Sequence, residues 1–288
     1  MSFTHSPLRY PGGKGRISDY FSRIIRDNDL VGGEYIEPYA GGAGVALSLL
    51  FKGDVSHIHI NDLNYPIYCF WHSALFDTEN LCRKISNCTI SVSAWKRHKN
   101  KLAKNENYSI LDVGFAFLFL NRTNRSGIIS GGMIGGYDQK GNYKMDCRFN
   151  KSALIKKIVR IGESKTKISL YNMDAQEFLI DVVSNVSRKS LTYIDPPYYM
   201  KGQRLYDNFY NPEDHTDLAQ SIKSLDRNWV VSYDNVNEVR NNFLEHRMLE
   251  YSLNYSAAKK YSGSELMVYS DQLVLPLPNS PVPIKKAS

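Results

Sequence analysis

The sequence lacks the long apolar runs of a membrane protein. Its 288 residues contain no stretch of about 18 consecutive apolar residues, and the start MSFTHSPLRYPGGK does not have the basic and then apolar layout of a secretory signal. Metal-binding patterns are missing as well, because no CxxC spacing occurs among Cys69, Cys82, Cys88 and Cys147. We therefore expect a cytoplasmic protein with free, buried or half-buried thiols, no metal site and no membrane contact.

What the sequence does have is the composition of an ordinary globular protein, with 42% hydrophobic and 23% charged residues. This composition argues against a disordered chain and against a small scaffold held together by disulfides. The length fits one large or two modest domains and is sufficient to bury a sizeable core.

The net charge of +7 is concentrated in the middle of the chain. Residues 83–160 contain 16 Lys or Arg and four Asp or Glu, a net charge of +12, whereas the rest of the chain, with 20 and 25, carries −5. Such a segment is typical of a protein that binds a polyanion. The alternative is a solvated helix face, because several of these cations lie close together between residues 96 and 104.

Short apolar runs and helical segments alternate in both outer parts of the chain. Strands are predicted at residues 34–39, 57–62, 167–172, 190–195 and 229–234, and helices at 45–51, 66–76, 175–183 and 213–222. This alternation is typical of an α/β fold with a doubly wound, mostly parallel sheet. Two late apolar runs, at residues 246–256 and 266–275, are candidates for an antiparallel edge.

The middle segment has a different pattern. Helical periodicity runs through residues 81–103 and 110–120, and glycines stand among β-forming residues in 126–145. We predict an inserted, mainly helical domain that carries a glycine-rich hairpin. The predicted domains are residues 1–72 with 161–275 for the sheet, 73–160 for the insertion and 276–288 for a flexible tail.

The motif EPYAGGAG, residues 37–44, joins a predicted strand to a predicted helix. Its glycines allow the backbone to approach a ligand closely, and the helix that follows offers free N–H groups. Asp62 ends the next predicted strand, where doubly wound folds place a carboxylate that accepts hydrogen bonds from ribose hydroxyls. Together these features predict an adenosine-containing cofactor, and the alternative is a structural turn.

A second motif, Asp195-Pro196-Pro197-Tyr198, directly follows the predicted strand SLTYI. Its prolines remove two backbone N–H groups, so the carbonyls at this strand end are not used by a helix and can face the crevice at the sheet edge. A carboxylate, a carbonyl and an aromatic ring suit an exocyclic amine on a flat base, since the oxygens accept hydrogen bonds from the amine and the ring stacks on the base. The alternative is a rigid turn.

Taken in order, these motifs resemble those of the DNA adenine methylase family of amino-methyltransferases, over roughly residues 8–274. LRYPGGKGR, residues 8–16, looks like that family's N-terminal cofactor segment, with Tyr10 at its aromatic position and Lys14 at its lysine. LFLNRTNRSGI, residues 118–128, is similar to a segment of the family's DNA-recognition domain. Tyr10 stands where some members have Trp, and the glycine-rich segment that follows has a sequence of its own.

The resemblance implies a Rossmann-like, S-adenosylmethionine-dependent methyltransferase sheet with an inserted target-recognition domain. It implies methyl transfer to N6 of an adenine flipped out of duplex DNA, giving N6-methyladenine and S-adenosylhomocysteine, with Asp195, Pro196 and Tyr198 as the catalytic group. The implied S-adenosylmethionine site consists of Tyr10, Lys14, Glu37, Gly41, Gly44, Asp62, Asp174 and Asp195. For Asp174 the alternative is a helix N-cap.

Four residues of the LFLNRTNRSGI segment are candidates for contacting double-stranded DNA: Asn121, Arg122, Asn124 and Arg125. Phosphate contacts are favoured for most of them, because phosphate contacts outnumber base contacts in protein–DNA complexes. A cognate restriction endonuclease is a candidate partner in the same system.

Two other functions share parts of this pattern. An amino-methyltransferase acting on RNA or on a protein amide would have the same cofactor and a similar catalytic motif, although the basic insertion argues against the amide. A DNA-binding protein without enzymatic activity would keep the basic segment, but it would not need Lys14, Asp62 and Asp195 together.

Overall fold

The computed structural model describes residues 4–10, 17–199, 210–255 and 261–276. The candidate Lys14 and nearly all of the predicted tail lie outside these residues. The helices in the described part are α1 (Ser18–Asp27), α2 (Gly44–Lys52), α3 (Tyr65–Phe76), α4 (Thr78–Asn87), α5 (Val92–Ala103), α6 (Ile110–Thr123), α7 (Lys151–Glu163), α8 (Ala175–Asp181), α9 (Pro212–Lys223) and α10 (Asn237–Asn242). The strands are β1 (Glu34–Glu37), β2 (His57–Asn61), β3 (Ile168–Tyr171), β4 (Ser190–Ile194), β5 (Asn228–Asp234), β6 (Arg247–Tyr255) and β7 (Tyr261–Tyr269).

These strands form one mixed sheet in the order β3-β2-β1-β4-β5-β7-β6. Strand β1 is parallel to β2 and to β4, and β4 is parallel to β5, whereas β7 runs antiparallel to both β5 and β6. The predicted α/β sheet with an antiparallel edge is therefore confirmed. The order 3-2-1-4-5 is that of a doubly wound, dinucleotide-binding fold.

The central strands are buried on both faces, as strands covered on both sides must be. Every residue of β4 is buried, and so are all residues of β1 except Glu34. Helix α1 was not predicted, although its apolar residues recur at helical spacing. It places the Phe21 ring 4.7 Å from Tyr193 and 6.0 Å from Tyr35, so that this helix forms part of the core.

The chain divides into two compact units. Residues 1–3, 12–63 and 173–288 belong to the first, and residues 4–11 and 64–172 to the second. The second unit thus begins earlier and ends later than the predicted insertion, and it includes α3. The reason is packing, because α3 lies so close to α6 that a Cβ on Gly114 would be 2.5 Å from the carbonyl oxygen of Cys69.

The second unit is mainly helical, but the predicted hairpin is not formed. Residues 126–145, all of them described, contain no strand, and a single antiparallel bridge joins Asn124 to Met133. Backbone φ angles between 56° and 83° turn this segment instead of extending it, at Ser126, Gly127, Gly135 and Gly136. The Gln139 side chain also closes a turn by donating a hydrogen bond to the carbonyl of Ile134 at 2.8 Å.

The four cysteines differ in their exposure to solvent. Cys69 is buried, Cys82 and Cys88 are half-buried, and Cys147 is exposed, contrary to the expectation for all four thiols. Burial raises the pKa of the Cys69 thiol to about 11, so this thiol stays protonated.

Within the described ranges, no helix is long and apolar enough to cross a membrane, and no cluster of side chains is suited to hold a metal ion.

We expect Gly114→Ala to destabilise the protein by about 1–3 kcal/mol, because the added methyl group would meet the backbone of α3. Gly132→Ala is the matched control, since nothing lies within 4 Å of a Cβ at that position. Urea unfolding of both variants measures the difference. Equal stability of the two variants would contradict the close packing of α3 on α6.

Candidate active site

The site residues of the first unit lie at one edge of the sheet. Residues 38–44 follow β1, and residues 195–198 follow β4, the parallel neighbour of β1. The chain continues from β1 to β2 on one side, while β4 lies on the other side. The boundary between β1 and β4 is therefore the point where the strand order reverses, which is where doubly wound sheets bind ligands.

The loop after β1 is folded against the end of β2. The backbone N–H of Gly41 donates to Oδ2 of Asp62 at 2.9 Å, and the N–H of Ala40 donates to the carbonyl of Asn61 at 2.8 Å. Gly41 and Ala43 have φ angles of 46° and 45°, the left-handed conformation that a tight turn requires. The structure thus brings together the glycine loop and the acidic residue that the sequence pairs.

Glu37 and Gly44 lie at the start of α2. Helix α2 begins at Gly44, and Oε1 of the buried Glu37 accepts a hydrogen bond from the N–H of Ala46 at 3.1 Å. Glu37 therefore satisfies one of the free N–H groups in the first turn of this helix. A contact of either residue with a cofactor stays a prediction.

Asn61 joins three segments at this edge and was not predicted. Its amide nitrogen donates to the carbonyls of Pro38 and Met173, both at 3.0 Å, and its amide oxygen accepts from the N–H of Met173 at 2.9 Å. The side chain is buried, so these bonds fix the loop after β1 relative to Met173. An amide at the end of an apolar strand is the signal that could have found it.

Asp174, the residue after Met173, is the N-cap of α8. Its Oδ1 accepts hydrogen bonds from the N–H groups of Gln176 at 2.8 Å and Glu177 at 3.5 Å. The N-cap alternative is therefore observed, and a contact with the cofactor adenine stays a prediction.

The carboxylate of Asp195 is held by a chain of hydroxyl groups. Ser232 on β5 donates to its Oδ1 at 2.8 Å, and the Tyr193 hydroxyl lies 2.8 Å from Oγ of Ser232. Because the serine proton points to Asp195, Tyr193 is the donor to Ser232. Burial raises the pKa of the Tyr193 hydroxyl well above its usual value, and the Asp195 charge adds to this, so Tyr193 keeps its proton. Ser232 was not predicted, although a serine inside an apolar strand is a visible signal.

Tyr198, which ends the motif, and the next residue, Tyr199, are anchored to β7 and β5. The Tyr199 N–H donates to Oδ1 of Asp234 at 2.9 Å. The Tyr198 hydroxyl donates to Oε1 of Glu265 at 2.7 Å, and the Tyr198 side chain is 9% exposed. Neither acidic residue was predicted, because β5 and β7 are both distant from the motif in sequence.

An aromatic cluster that contains no charged group borders this turn. The rings of Tyr199 and Tyr210 lie 4.9 Å and 5.4 Å from His215, whose Nδ1 is 2.9 Å from the hydroxyl of Tyr233. Burial lowers the pKa of His215 and raises the pKa of Tyr233 well above its usual value. Both side chains are therefore uncharged at neutral pH.

In the second unit, Asn121 and Asn124 are buried and their amides bond internally. Asn121 accepts from the N–H of Arg9 at 2.8 Å and donates to the carbonyls of Arg9 and Gly127 at 2.8 Å and 3.0 Å. Asn124 accepts from the Trp95 indole N–H at 2.6 Å and donates to the carbonyls of residues 128 and 129. Both amides shape the loop that follows α6.

Arg122 lies in a group of three guanidinium groups with Arg9 and Arg148. Nε of Arg122 donates to the backbone carbonyl of Arg148 at 2.7 Å, and the guanidinium groups of Arg122 and Arg9 also donate to the carbonyls of Pro7 and Asn124. Burial, followed by the charges of Arg9 and Arg148, lowers the pKa of Arg122 to about 10, so Arg122 remains protonated at neutral pH. Among the described residues, no carboxylate forms an ion pair with these three guanidinium groups. Arg125 is exposed.

Other cations of the basic segment are neutralised inside the unit. Lys84 and Lys101 donate to Oδ1 of Asp112 at 3.0 Å and 2.9 Å. Burial alone would raise the pKa of Asp112, but these bonds lower it to about 2. Part of the excess positive charge is therefore paired within the unit and stabilises it.

Tyr10 also belongs to the second unit, and its role in binding a cofactor stays a prediction.

Comparison with known proteins agrees with this geometry. The chain matches the model of the D12 class N6 adenine-specific DNA methyltransferase family over residues 10–257. It is 24% identical over 242 residues to the Type II methyltransferase M.MjaIII of Methanocaldococcus jannaschii, a match that covers 76% of this chain and 80% of that protein.

Two solved structures match this chain at low sequence identity. A putative RNA methyltransferase from Pyrococcus horikoshii is 11% identical, with a TM-score of 0.43 and coverage of 90% of this chain and 83% of that one. A conserved hypothetical protein from Streptococcus pyogenes is 12% identical, with a TM-score of 0.33 and coverage of 83% and 85%.

The sheet and its site define a methyltransferase, and the family match extends over most of the chain. The chain belongs to the D12 class of N6 adenine-specific DNA methyltransferases. It is an enzyme that methylates adenine in DNA, as the sequence motifs predicted, and it uses a methyl donor.

We expect Ser232→Ala to reduce methylation of DNA about 10-fold to 100-fold, because the charged carboxylate of Asp195 loses a hydrogen bond of about 1.5–3 kcal/mol. Transfer of labelled methyl to DNA under saturating conditions measures the effect. Ser190→Ala is the matched control, since this buried serine on β4 has no hydrogen-bond partner for its hydroxyl among the described residues. Equal activity of the two variants would mean that Ser232 does not support Asp195.

Proposed function

We propose that the protein transfers a methyl group from S-adenosylmethionine to N6 of an adenine flipped out of duplex DNA, giving N6-methyladenine and S-adenosylhomocysteine. The observation that supports this most strongly is the position of the glycine loop and the Asp195 turn at the ends of adjacent parallel strands. A cofactor held by one and a base held by the other would meet at the same edge of the sheet.

The residues present fit S-adenosylmethionine. Asp62 offers a carboxylate for the ribose hydroxyls beside the left-handed loop of Gly41, where the backbone can approach a ligand closely. Asp174, Glu37 and Gly44 complete the proposed site in this unit, and the resemblance to the family adds Tyr10 and Lys14. When bound, S-adenosylmethionine supplies an electrophilic methyl group on a positively charged sulfur.

Asp195 and Pro196 activate the acceptor. The N6 lone pair is delocalised into the adenine ring, so the free amine is a poor nucleophile. If the Asp195 carboxylate and the Pro196 carbonyl accept hydrogen bonds from the two N6–H groups, they favour lone-pair density on nitrogen and orient it toward the methyl group. N6 bonds to the methyl carbon as the carbon–sulfur bond breaks with its electrons on sulfur, and one N6 proton is then lost through Asp195 or water.

The target base has to leave the duplex to reach this edge. We assign Tyr198 as the ring on which the flipped adenine stacks, because the motif places it three residues from Asp195 and its hydroxyl is already anchored. Pro196 and Pro197 restrict the backbone between the two residues, so the carboxylate and the ring keep a fixed separation.

The guanidinium groups of the second unit are proposed to bind DNA phosphates. Arg122, Arg9 and Arg148 repel one another and have no carboxylate partner in the described chain, so a phosphodiester would relieve that repulsion. Arg125 is an exposed candidate for the same role. Asn121 and Asn124, whose amides bond internally, are proposed to support this surface by fixing the loop after α6.

A restriction endonuclease is proposed as a partner of this protein. The relative from Methanocaldococcus jannaschii is named a Type II methyltransferase, and we infer that this chain likewise protects sites from a cognate restriction endonuclease. Single-molecule sequencing of DNA from cells that express the protein would give the modified base and its sequence context together.

We expect Asp195→Ala to reduce methyl transfer to duplex DNA by at least about 100-fold, because the acceptor of the N6 protons is lost. Labelled S-adenosylmethionine followed by nucleoside analysis measures the product, and calorimetric titration should show nearly unchanged cofactor binding. Asp226→Ala is the control, since it removes an exposed carboxylate of the same unit.

Several results would contradict this assignment. Label in N4-methylcytosine, RNA or protein would overturn the substrate, and a wild-type protein that binds DNA without transferring methyl would overturn the enzymatic activity. Activity of Asp195→Ala equal to that of Asp226→Ala would remove Asp195 from its role.

We expect Arg122→Gln to weaken DNA binding and to flatten the dependence of log affinity on log salt by about one unit, because one phosphate contact is lost. Arg83→Gln is the matched control, since Arg83 carries the same charge in the same basic segment but is exposed and, among the described residues, bonds only to Asn80. Fluorescence anisotropy with a labelled duplex measures both slopes. Equal slopes for the two variants would show that Arg122 does not contact a phosphate.

A further inference from the structure

One buried carboxylate holds the tyrosine that ends the catalytic motif. Glu265 on β7 is 2% exposed, and its two oxygens accept hydrogen bonds from two different tyrosines. Oε1 accepts from the Tyr198 hydroxyl at 2.7 Å, and Oε2 accepts from the Tyr251 hydroxyl at 2.6 Å. Tyr251 lies directly opposite Glu265 on β6, so the sheet register brings this pair together.

A carboxylate in this place is costly unless it has donors, because burial removes the water that would solvate its charge. Here each oxygen has a phenol donor, so the carboxylate is held in its plane and cannot rotate freely. An apolar residue would fill the same space without that cost. The arrangement therefore favours position over stability.

The consequence for Tyr198 is that its ring is fixed at both ends. Pro196 and Pro197 restrict the backbone before it, the neighbouring Tyr199 N–H is bound by Asp234 at 2.9 Å, and Glu265 binds its hydroxyl. Because the ring is already fixed, it loses little conformational entropy when a base stacks on it.

We propose that Glu265 is a positioning residue, which fixes the Tyr198 ring for stacking with the target adenine. The proposal rests on the function proposed above, in which Tyr198 contacts the flipped base. Glu265 itself touches neither substrate nor cofactor in this proposal. It acts through one hydrogen bond, so its effect should appear in the bound complex and should disappear when the Tyr198 hydroxyl is absent.

Three variants of the full chain test this inference: Glu265→Gln, Tyr198→Phe and the double variant. We expect each single change to lower the single-turnover rate of methyl transfer about 10-fold, with enzyme in excess over a duplex that carries the recognition sequence found by sequencing. Cofactor affinity, measured by calorimetry, should stay within about two-fold of the wild type, because the change lies on the side of the base. The double variant should be no slower than the slower single variant.

Tyr20→Phe is the matched control. Tyr20 is a buried tyrosine of the same unit, and its hydroxyl lies 2.9 Å from that of Tyr269, which is also on β7. Removal of the Tyr20 hydroxyl should lower the stability of the protein as the other changes do, but it should leave the single-turnover rate of methyl transfer unchanged. A residue with only a structural role lowers the amount of folded enzyme and does not change the rate of the saturated complex.

The outcomes separate the two proposals. If the wild type does not methylate adenine, the proposed function fails. If the wild type is active and both single variants transfer methyl as fast as Tyr20→Phe, or if their effects multiply in the double variant, the positioning role of Glu265 is wrong. Should Glu265→Gln not fold, Tyr198→Phe decides alone, since it keeps the ring and leaves Glu265 bonded to Tyr251.

Discussion

The parallel pairing of β1 with β4 is the constraint on which the rest of the site depends. Parallel strands end at the same edge of a sheet, so the residues that follow β1 and β4 must lie close together whatever their separation in sequence. The reversal of strand order at this boundary leaves a crevice instead of a crossover connection. The amide of Asn61 then holds the loop after β1 to Met173, and Gly41 binds Asp62. The glycine loop, the acidic residue and the turn that contains Asp195 thus share one edge because of backbone geometry.

Hydroxyl groups donate hydrogen bonds to two carboxylates on the side of this edge that is proposed to bind the base. Ser232 donates to Asp195, and Tyr198 with Tyr251 donates to Glu265. Burial raises the pKa of Tyr193, behind Ser232, so this hydroxyl remains a donor over the physiological range. Both carboxylates are thus held in place by hydroxyl donors.

The basic segment contains two kinds of cation. Lys84 and Lys101 are neutralised by Asp112 and hold helices together. In the described part of the chain, Arg122 and Arg9 donate to backbone carbonyls and, like Arg148, form no ion pair with a carboxylate. A sum of charges along the sequence cannot distinguish these cases, because pairing depends on which helices pack together. The net charge of +12 is therefore larger than the charge that is available to bind a polyanion. The guanidinium groups of Arg9, Arg122 and Arg148 mark where that available charge lies.

The sequence by itself determined the sheet strands, most of the helices that cover them, though not α1, the antiparallel edge and the two motifs at strand ends. Periodicity and local turn chemistry are encoded in neighbouring residues. The sequence failed for the hairpin after Asn124, where positive φ angles and the Gln139 side chain close turns. The second compact unit also begins earlier and ends later than the predicted insertion, since the close approach of α3 to Gly114 is a contact distant in sequence. Only the tertiary structure revealed Asn61, Ser232 and Glu265 as partners of the motifs. Their roles come from strand order and register, which bring together residues that no local pattern connects.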